Sequence, residues 1–333
     1  MGANLLAPFA IVDEGVARIV AASQNGKSGS TRGFVGRAYP GIVRVLLSRS
    51  GPEDLLRLDP DAILDWNIHS NELRDAGIRH LIQLRIDDQN QTAVRFQLWT
   101  LLGQMTGHTG RVAHLTARYS DQIAKISTHI SASKDSPARV AILSSDAGVW
   151  WIGRKGSYYN ELLQLAGAVN PARNVDWAMF GLEQLIALDP DAILLIDPGD
   201  HSAPAKLYER PEMNAVRAVR MRRVYRIPDQ PLFSTPVMDP LLIRWMAELF
   251  YPDAMTKELR DAYRSTYREV LHYALSDDEI DDALFLKENE ASSGYGRFAR
   301  DGGASNRATL QEDGEQALTS AEIQGPKRCR HAR

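Results

Sequence analysis

The sequence predicts an α/β protein of two Rossmann-like lobes, with mostly parallel central sheets, joined by one long α-helix. Residues 51–66 (GPEDLLRLDPDAILDW) and 181–196 (GLEQLIALDPDAILLI) share a glycine, a glutamate two positions on, a leucine, and then the whole run Leu-Asp-Pro-Asp-Ala-Ile-Leu. A repeat seen only twice, and far apart, points to two domains of one kind rather than a solenoid. Short apolar runs without alternation recur in both halves, as in parallel strands covered on both faces. Between the halves, Val112, Leu115, Tyr119, Ile123, Ile126 and Ile130 step by three and four, an apolar stripe along one helix.

Taken in order, the opening MGANLLAPFAIVDEG makes a poor secretory leader: it has no basic start, and Pro8 and Asp13 interrupt its apolar run. Residues 17–22 (ARIVAA), 62–66 and 80–84 (HLIQL) are the strand candidates of the first half. Each repeat reads as a short helix, a turn and a buried strand. Pro60 and Pro190 stop the helix because proline lacks an N–H and crowds the preceding turn. The striped helix runs from about Thr109 to about Ile130, on the order of 30 Å at 1.5 Å per residue. Gly107 and Gly110 mark its start and SASKDSP its end. In the second half the strand candidates are 139–144 (RVAILS), 192–196 and 223–227 (RVYRI). After about Arg300 large apolar residues thin out, which predicts disorder. The expected organisation is an N-terminal lobe over 1–107, a connecting helix over 108–133, a C-terminal lobe over 137–298 and a tail over 299–333.

The 333 residues suffice for two domains, and 44% hydrophobic with 24% charged residues is the balance of a globular protein. A net charge of -3 excludes a broad nucleic-acid-binding face, which needs concentrated positive charge. The basic cluster KRCRHAR at 327–333 is local and reads first as a solvated tail. It holds the single cysteine, Cys329, so no intrachain disulfide and no cysteine metal site can form. No apolar run approaches the ~20 residues of a spanning helix.

One rival reading is a nucleotide-binding enzyme. Ala21–Ser28 (AASQNGKS) follows a strand and fits a relaxed phosphate-loop pattern, and AILLID ending at Asp197 imitates the acidic strand that accompanies one. A phosphate loop needs a helix starting at Lys27–Ser28, and the GSTRGFVGRAYPG that follows breaks helices. No GxSxG elbow, GxGxxG turn or HExxH pair is present, so no enzymatic activity and no resident cofactor are expected.

Two lobes on one helix, each with a Glu-x-Leu-hydrophobic-x-Leu-x-Pro-Asp signature, resemble the class III periplasmic binding proteins of ABC importers for ferric siderophores, haem and cobalamin. Residues 103–123 (GQMTGHTGRVAHLTARYSDQI) resemble that family's entry into its connecting helix, 218–228 (AVRMRRVYRIP) its AVK-x-G-x-VY-x-x-P segment, and 280–298 (IDDALFLKENEASSGYGRF) an ending seen in iron-complex members. The resemblance spans about Ala17 to Phe298. It implies a monomeric clamp that holds a small-molecule metal chelate between its lobes. It implies a periplasmic location too, although a genuine start at this methionine would leave the chain cytoplasmic. It also implies docking on an ABC permease through Glu53 and Glu183, one per lobe. An acid in a helix's first turn is also stabilised by the helix dipole, by ~0.3–1 kcal/mol, with no partner at all. The sequence departs from the family between ARIVAA and Gly51, where glycines and Pro40 replace an ordinary helix. The N-terminal lobe is therefore expected to be trimmed over 23–50, and a degenerate, non-transporting homologue is the alternative that this departure raises.

Ligands of doubly wound sheets sit beyond the carboxyl ends of the strands. There lie WNIH at 66–69, VWWIGRKGSYY at 149–159, DWAMF at 176–180 and PLF at 231–233. The candidate ligand residues are Trp66, His69, Trp150, Trp151, Arg154, Tyr158, Tyr159, Trp177 and Phe233. Aromatic faces suit a bulky chelate and Arg154 suits a negatively charged one. Core packing explains each aromatic singly about as well, and neighbours such as Trp150 and Trp151 must face opposite ways in an extended segment. His69 is placed as a metal ligand would be, as in zinc and manganese binders of the wider superfamily, yet a protein metal site needs three or four ligands.

Overall fold

The computed structural model describes residues 5–23, 34–47, 52–66, 70–77, 80–84, 91–146, 149–152, 157–172, 179–196, 204–229 and 235–300. The apolar opening is a helix, α1 (Leu6–Val12), in which every residue is buried. A helix apolar on all sides is stable only inside a core, and α1 lies in the same buried cluster as Leu98, Trp99 and Leu102. Of the expected strand at 17–22 only β1 (Ala21–Ala22) forms, paired in parallel with β2 (Leu46–Leu47). Between them the described residues hold the five-residue α2 (Phe34–Ala38) and a 3-10 turn, Pro40–Arg44. α3 (Pro52–Leu58), β3 (Ile63–Trp66), α4 (Ser70–Asp75) and β4 (Leu81–Leu84) follow, with β3 and β4 parallel from Ile63↔Leu81 to Trp66↔Leu84. Of the phosphate-loop segment, residues 24–28 lie outside the described residues, as does the tail from 301 onward.

α5 (Gln91–Thr106) turns at Gly107, whose φ is +80°, into the connecting helix α6 (Thr109–Ala132). The stripe read from the sequence buries Val112, Leu115, Tyr119 and Ile126. Beyond it lie β5 (Val140–Asp146), β6 (Val149–Ile152), α7 (Tyr158–Leu165), β7 (Met179–Phe180), α8 (Leu182–Leu188), β8 (Ala192–Leu195), α9 (Pro204–Tyr208), α10 (Arg217–Arg220) and β9 (Val224–Arg226). α11 (Asp239–Phe250), α12 (Leu259–Leu271) and α13 (Asp277–Ala283) complete the C-terminal part. Five strands form one sheet in the order β7-β6-β5-β8-β9. β5–β8 and β8–β9 are parallel, as their apolar runs predicted, whereas β5–β6 and β6–β7 are antiparallel. The stretch 149–152, expected beyond a strand's carboxyl end as an extended segment, is a strand that turns back along β5.

The two repeat copies fold alike. α3 and α8 both end at an aspartate in the left-handed region, Asp59 at φ +42° and Asp189 at φ +40°, and the proline follows. Aspartate tolerates that conformation because its short polar side chain bonds locally, so the stop is an aspartate cap as well as a proline. At the other sheet edge, Asn289 replaces a missing strand: its Nδ2 donates to the Arg226 carbonyl (3.0 Å) and its Oδ1 accepts from the Arg226 N–H (2.7 Å). One buried cluster runs through the whole molecule, including Leu64 of β3, Trp99 of α5, Leu115 of α6, Ile142 of β5 and Trp245 of α11. A second covers the other face of the five-stranded sheet with Leu185, Ile193, Leu195 and Val219. The chain's far ends meet beside α6. Arg111 pairs with Glu14 (2.9 Å) and donates to the carbonyls of Ile11 and Val270 (2.9 Å each). His272 also bonds Glu14 (2.7 Å).

Candidate functional site between the lobes

Three helix starts converge where the carboxyl ends of the strands lie. α5 starts beyond the end of β4 and α11 beyond the end of β9. α7 starts at the carboxyl end of β5, since the residues just after it reach the opposite end at the bridge Arg139↔Val169. Arg95 of α5 is 5% exposed and Asp239, the first residue of α11, is 1% exposed. Arg95 Nη1 stands 2.8 Å from Asp239 Oδ2, an ion pair that joins the last helix of the first lobe to the second. Tyr158 of α7 donates its hydroxyl to Asp239 Oδ1 (2.7 Å), and the Arg95 guanidinium lies 4.5 Å from the centre of the Tyr158 ring. A second link crosses nearby, where the Thr92 N–H donates to Glu161 Oε2 (3.1 Å). Thr92 Oγ1 also accepts from Arg95 Nη2 (3.1 Å).

Burial sets the electrostatics here. The Asp239 carboxyl is pushed up to about 6 because removing its charge from water outweighs the attraction of Arg95 and the Tyr158 hydrogen bond. Burial likewise pushes the Tyr119 and Tyr159 hydroxyls up to about 12. Both hydroxyls therefore stay protonated near neutral pH. Tyr159 packs against Tyr158 with ring centres 4.9 Å apart, and Phe96 against Tyr119 at 4.9 Å. Two of the sequence candidates, Tyr158 and Tyr159, therefore lie at this meeting point of three helix starts, which forms the floor of the candidate site. The Tyr158 hydroxyl is engaged by Asp239, which makes it part of the floor's framework.

The backbone of Trp66 closes β3, and Trp150 and Trp151 sit on β6 opposite Ser145 and Ser144. His69, Arg154, Trp177 and Phe233 lie outside the described residues. Sequence reasoning missed Arg95, Asp239, Thr92 and Glu161. The sole cue was Asp239-Pro240, an acid followed by proline at a helix start. Among the described residues no group of three or more His, Cys, Asp or Glu is placed to hold a metal ion. A cavity of ≈ 170 Å³ lies elsewhere, between Phe9, Leu55, Leu58, Ile63 and Met105. It falls short of the roughly 300 Å³ at which ligand sites begin.

Glu53 and Glu183 are each the second residue of a helix, α3 and α8, and both are exposed. α8 joins β7 to β8, two strands that run in the same direction in the five-stranded sheet, so Glu183 follows the carboxyl end of β7. Among the described residues neither glutamate has an ion-pair partner.

Residues 14–231 match the family model described as "Periplasmic binding protein". A curated relative, the "Uncharacterized ABC transporter substrate-binding lipoprotein YvrC" of Bacillus subtilis (strain 168), is 26% identical over 213 residues, 60% of this chain. The chain spans 65% of that relative's length. Among solved structures, a periplasmic solute binding protein from Veillonella parvula DSM 2008 superposes with a TM-score of 0.73 at 21% identity, over 87% of this chain and 92% of that one. The Haemophilus influenzae periplasmic binding protein MolA, bound to molybdate, gives 0.69 at 15% identity over 83% and 93%. With its two lobes, one connecting helix and a family match across most of its length, the chain belongs to the periplasmic binding proteins, in their class III form.

Proposed function

We propose that the chain is the substrate-binding subunit of an ABC importer, which captures a ferric siderophore or a similar metal chelate between its lobes and delivers it to a membrane permease. The observation that carries this reading is the matched pair Glu53 and Glu183, each the exposed second residue of the helix in its repeat copy. Family membership and the substrate-binding lipoprotein from B. subtilis support it, and support an extracytoplasmic location. The chelate is favoured by the aromatic content of the sequence segments that follow the strand candidates, which hold Trp66, Trp150, Trp151, Tyr159, Trp177 and Phe233. Arg95 is neutralised by Asp239, so Arg154 is the cation assigned to meet a negative ligand. The protein works as a monomer in this reading.

The test is titration of the purified chain with ferric siderophores, haem, cobalamin and molybdate, followed by fluorescence of its six tryptophans. Saturable quenching by one class identifies the ligand. A flat response to every compound, with measurable ATP hydrolysis, overturns the proposal.

A further inference from the structure

Leu56 and Ile186 occupy the same place in the two repeat copies, one helical turn after Glu53 and Glu183. Both stand out into solvent, 51% and 39% exposed, while Leu185 next to Ile186 is buried. Residues three apart share a helix face, so each lobe displays an acid and an apolar side chain side by side. A single exposed leucine is ordinary on a protein surface. Two apolar side chains at the same register, each beside an exposed acid, form a repeated chemical unit. The next outward position does not repeat: Arg57 in one copy corresponds to Ala187 in the other, both exposed. The two copies have thus diverged on the same solvent face at the position after the apolar residue.

We infer that Leu56 and Ile186 are apolar anchors of the docking face, and that the permease offers, at two places, a basic side chain beside an apolar recess. The inference rests on the docking reading of Glu53 and Glu183 given above. The charges make the occupant a basic surface, and the pairing makes it one that presents the same element twice. Exposed charges at a rim mainly steer association and lose hold as salt rises. An apolar group seated in a recess slows release and is insensitive to salt.

The experiment measures binding of the full chain to its cognate ABC permease–ATPase complex, held in nanodiscs, at low and high salt. The variants are Leu56→Gln with Ile186→Gln, Glu53→Gln with Glu183→Gln, and Lys134→Ala, exposed and outside both repeat copies, as a surface control. The apolar pair should weaken docking by roughly five- to tenfold per site at both salt concentrations, mainly through faster release. Leu56→Met with Ile186→Leu should restore it. The glutamate pair should remove most of the salt dependence. Loss with the glutamate variants but none with the glutamine-for-apolar variants overturns the anchors and leaves the docking reading standing. Unchanged docking in both pairs overturns both. Unaltered circular dichroism and ligand titration in every variant show that the lobes themselves are intact.

Discussion

Asp239 shows what burial does to a single carboxyl. Its proton is held to about 6, against 3.8 when exposed. Between about pH 4 and pH 6 the folded chain keeps a proton that the unfolded chain has released. Protons bound in excess by the folded state make its stability fall as pH rises. This group should therefore withdraw roughly 3 kcal/mol across that window, because each tenfold change in proton affinity is worth about 1.4 kcal/mol. Asp239→Asn, which keeps the shape of the protonated acid, should abolish that part of the slope. Urea unfolding of both proteins from pH 4 to pH 7 checks it, and equal slopes would show that the carboxyl is not raised. The Arg95–Asp239 pair was invisible in the sequence, because an ion pair between residues of two lobes leaves no local spacing to read. The exposed Glu53 and Glu183 were legible, since each sits in a repeat that also carries helix-stop chemistry.

At the scale of elements, the turn after α7 ties three helices together. Gly167 has φ +76°, the left-handed cap that glycine adopts without cost. Its N–H donates to the Gln164 carbonyl and the Ala168 N–H to the Leu163 carbonyl, both 3.0 Å. Its own carbonyl accepts from the Tyr251 hydroxyl just past α11 (2.5 Å). A methyl group there would lie 2.6 Å from Ile130 Cγ2 on α6. Gly167→Ala should accordingly cost more than about 2 kcal/mol, the left-handed penalty of about 1–2 kcal/mol plus the clash; a loss under about 0.5 kcal/mol in denaturant titration would refute the close packing. Parallel strands and the amphipathic α6 were legible from period and run length. The β6–β7 edge was not, because VWWI is an apolar run that a loop lining a cleft also explains. The helix α1 was missed for a related reason, since a short all-apolar stretch with no capping residue shows no helical period.

For the whole molecule, the decisive feature is that the main core does not divide at the lobes. Leu64 and Trp99 share it with Ile142, Trp245 and Tyr263, and α6 runs through it. Lobes with separate cores would melt separately. This chain should give one calorimetric transition with equal van't Hoff and calorimetric enthalpies; two resolved peaks would mean that α6 is a linker rather than a shared wall. The pairing of Glu14 with His272 extends the same theme, because the two residues stand 258 positions apart. The helix α1, buried at every residue, packs on α5, whose residues follow it by some eighty positions, so its burial depends on contacts far along the chain. A cut anywhere between α1 and α12 would therefore open the one core that both share.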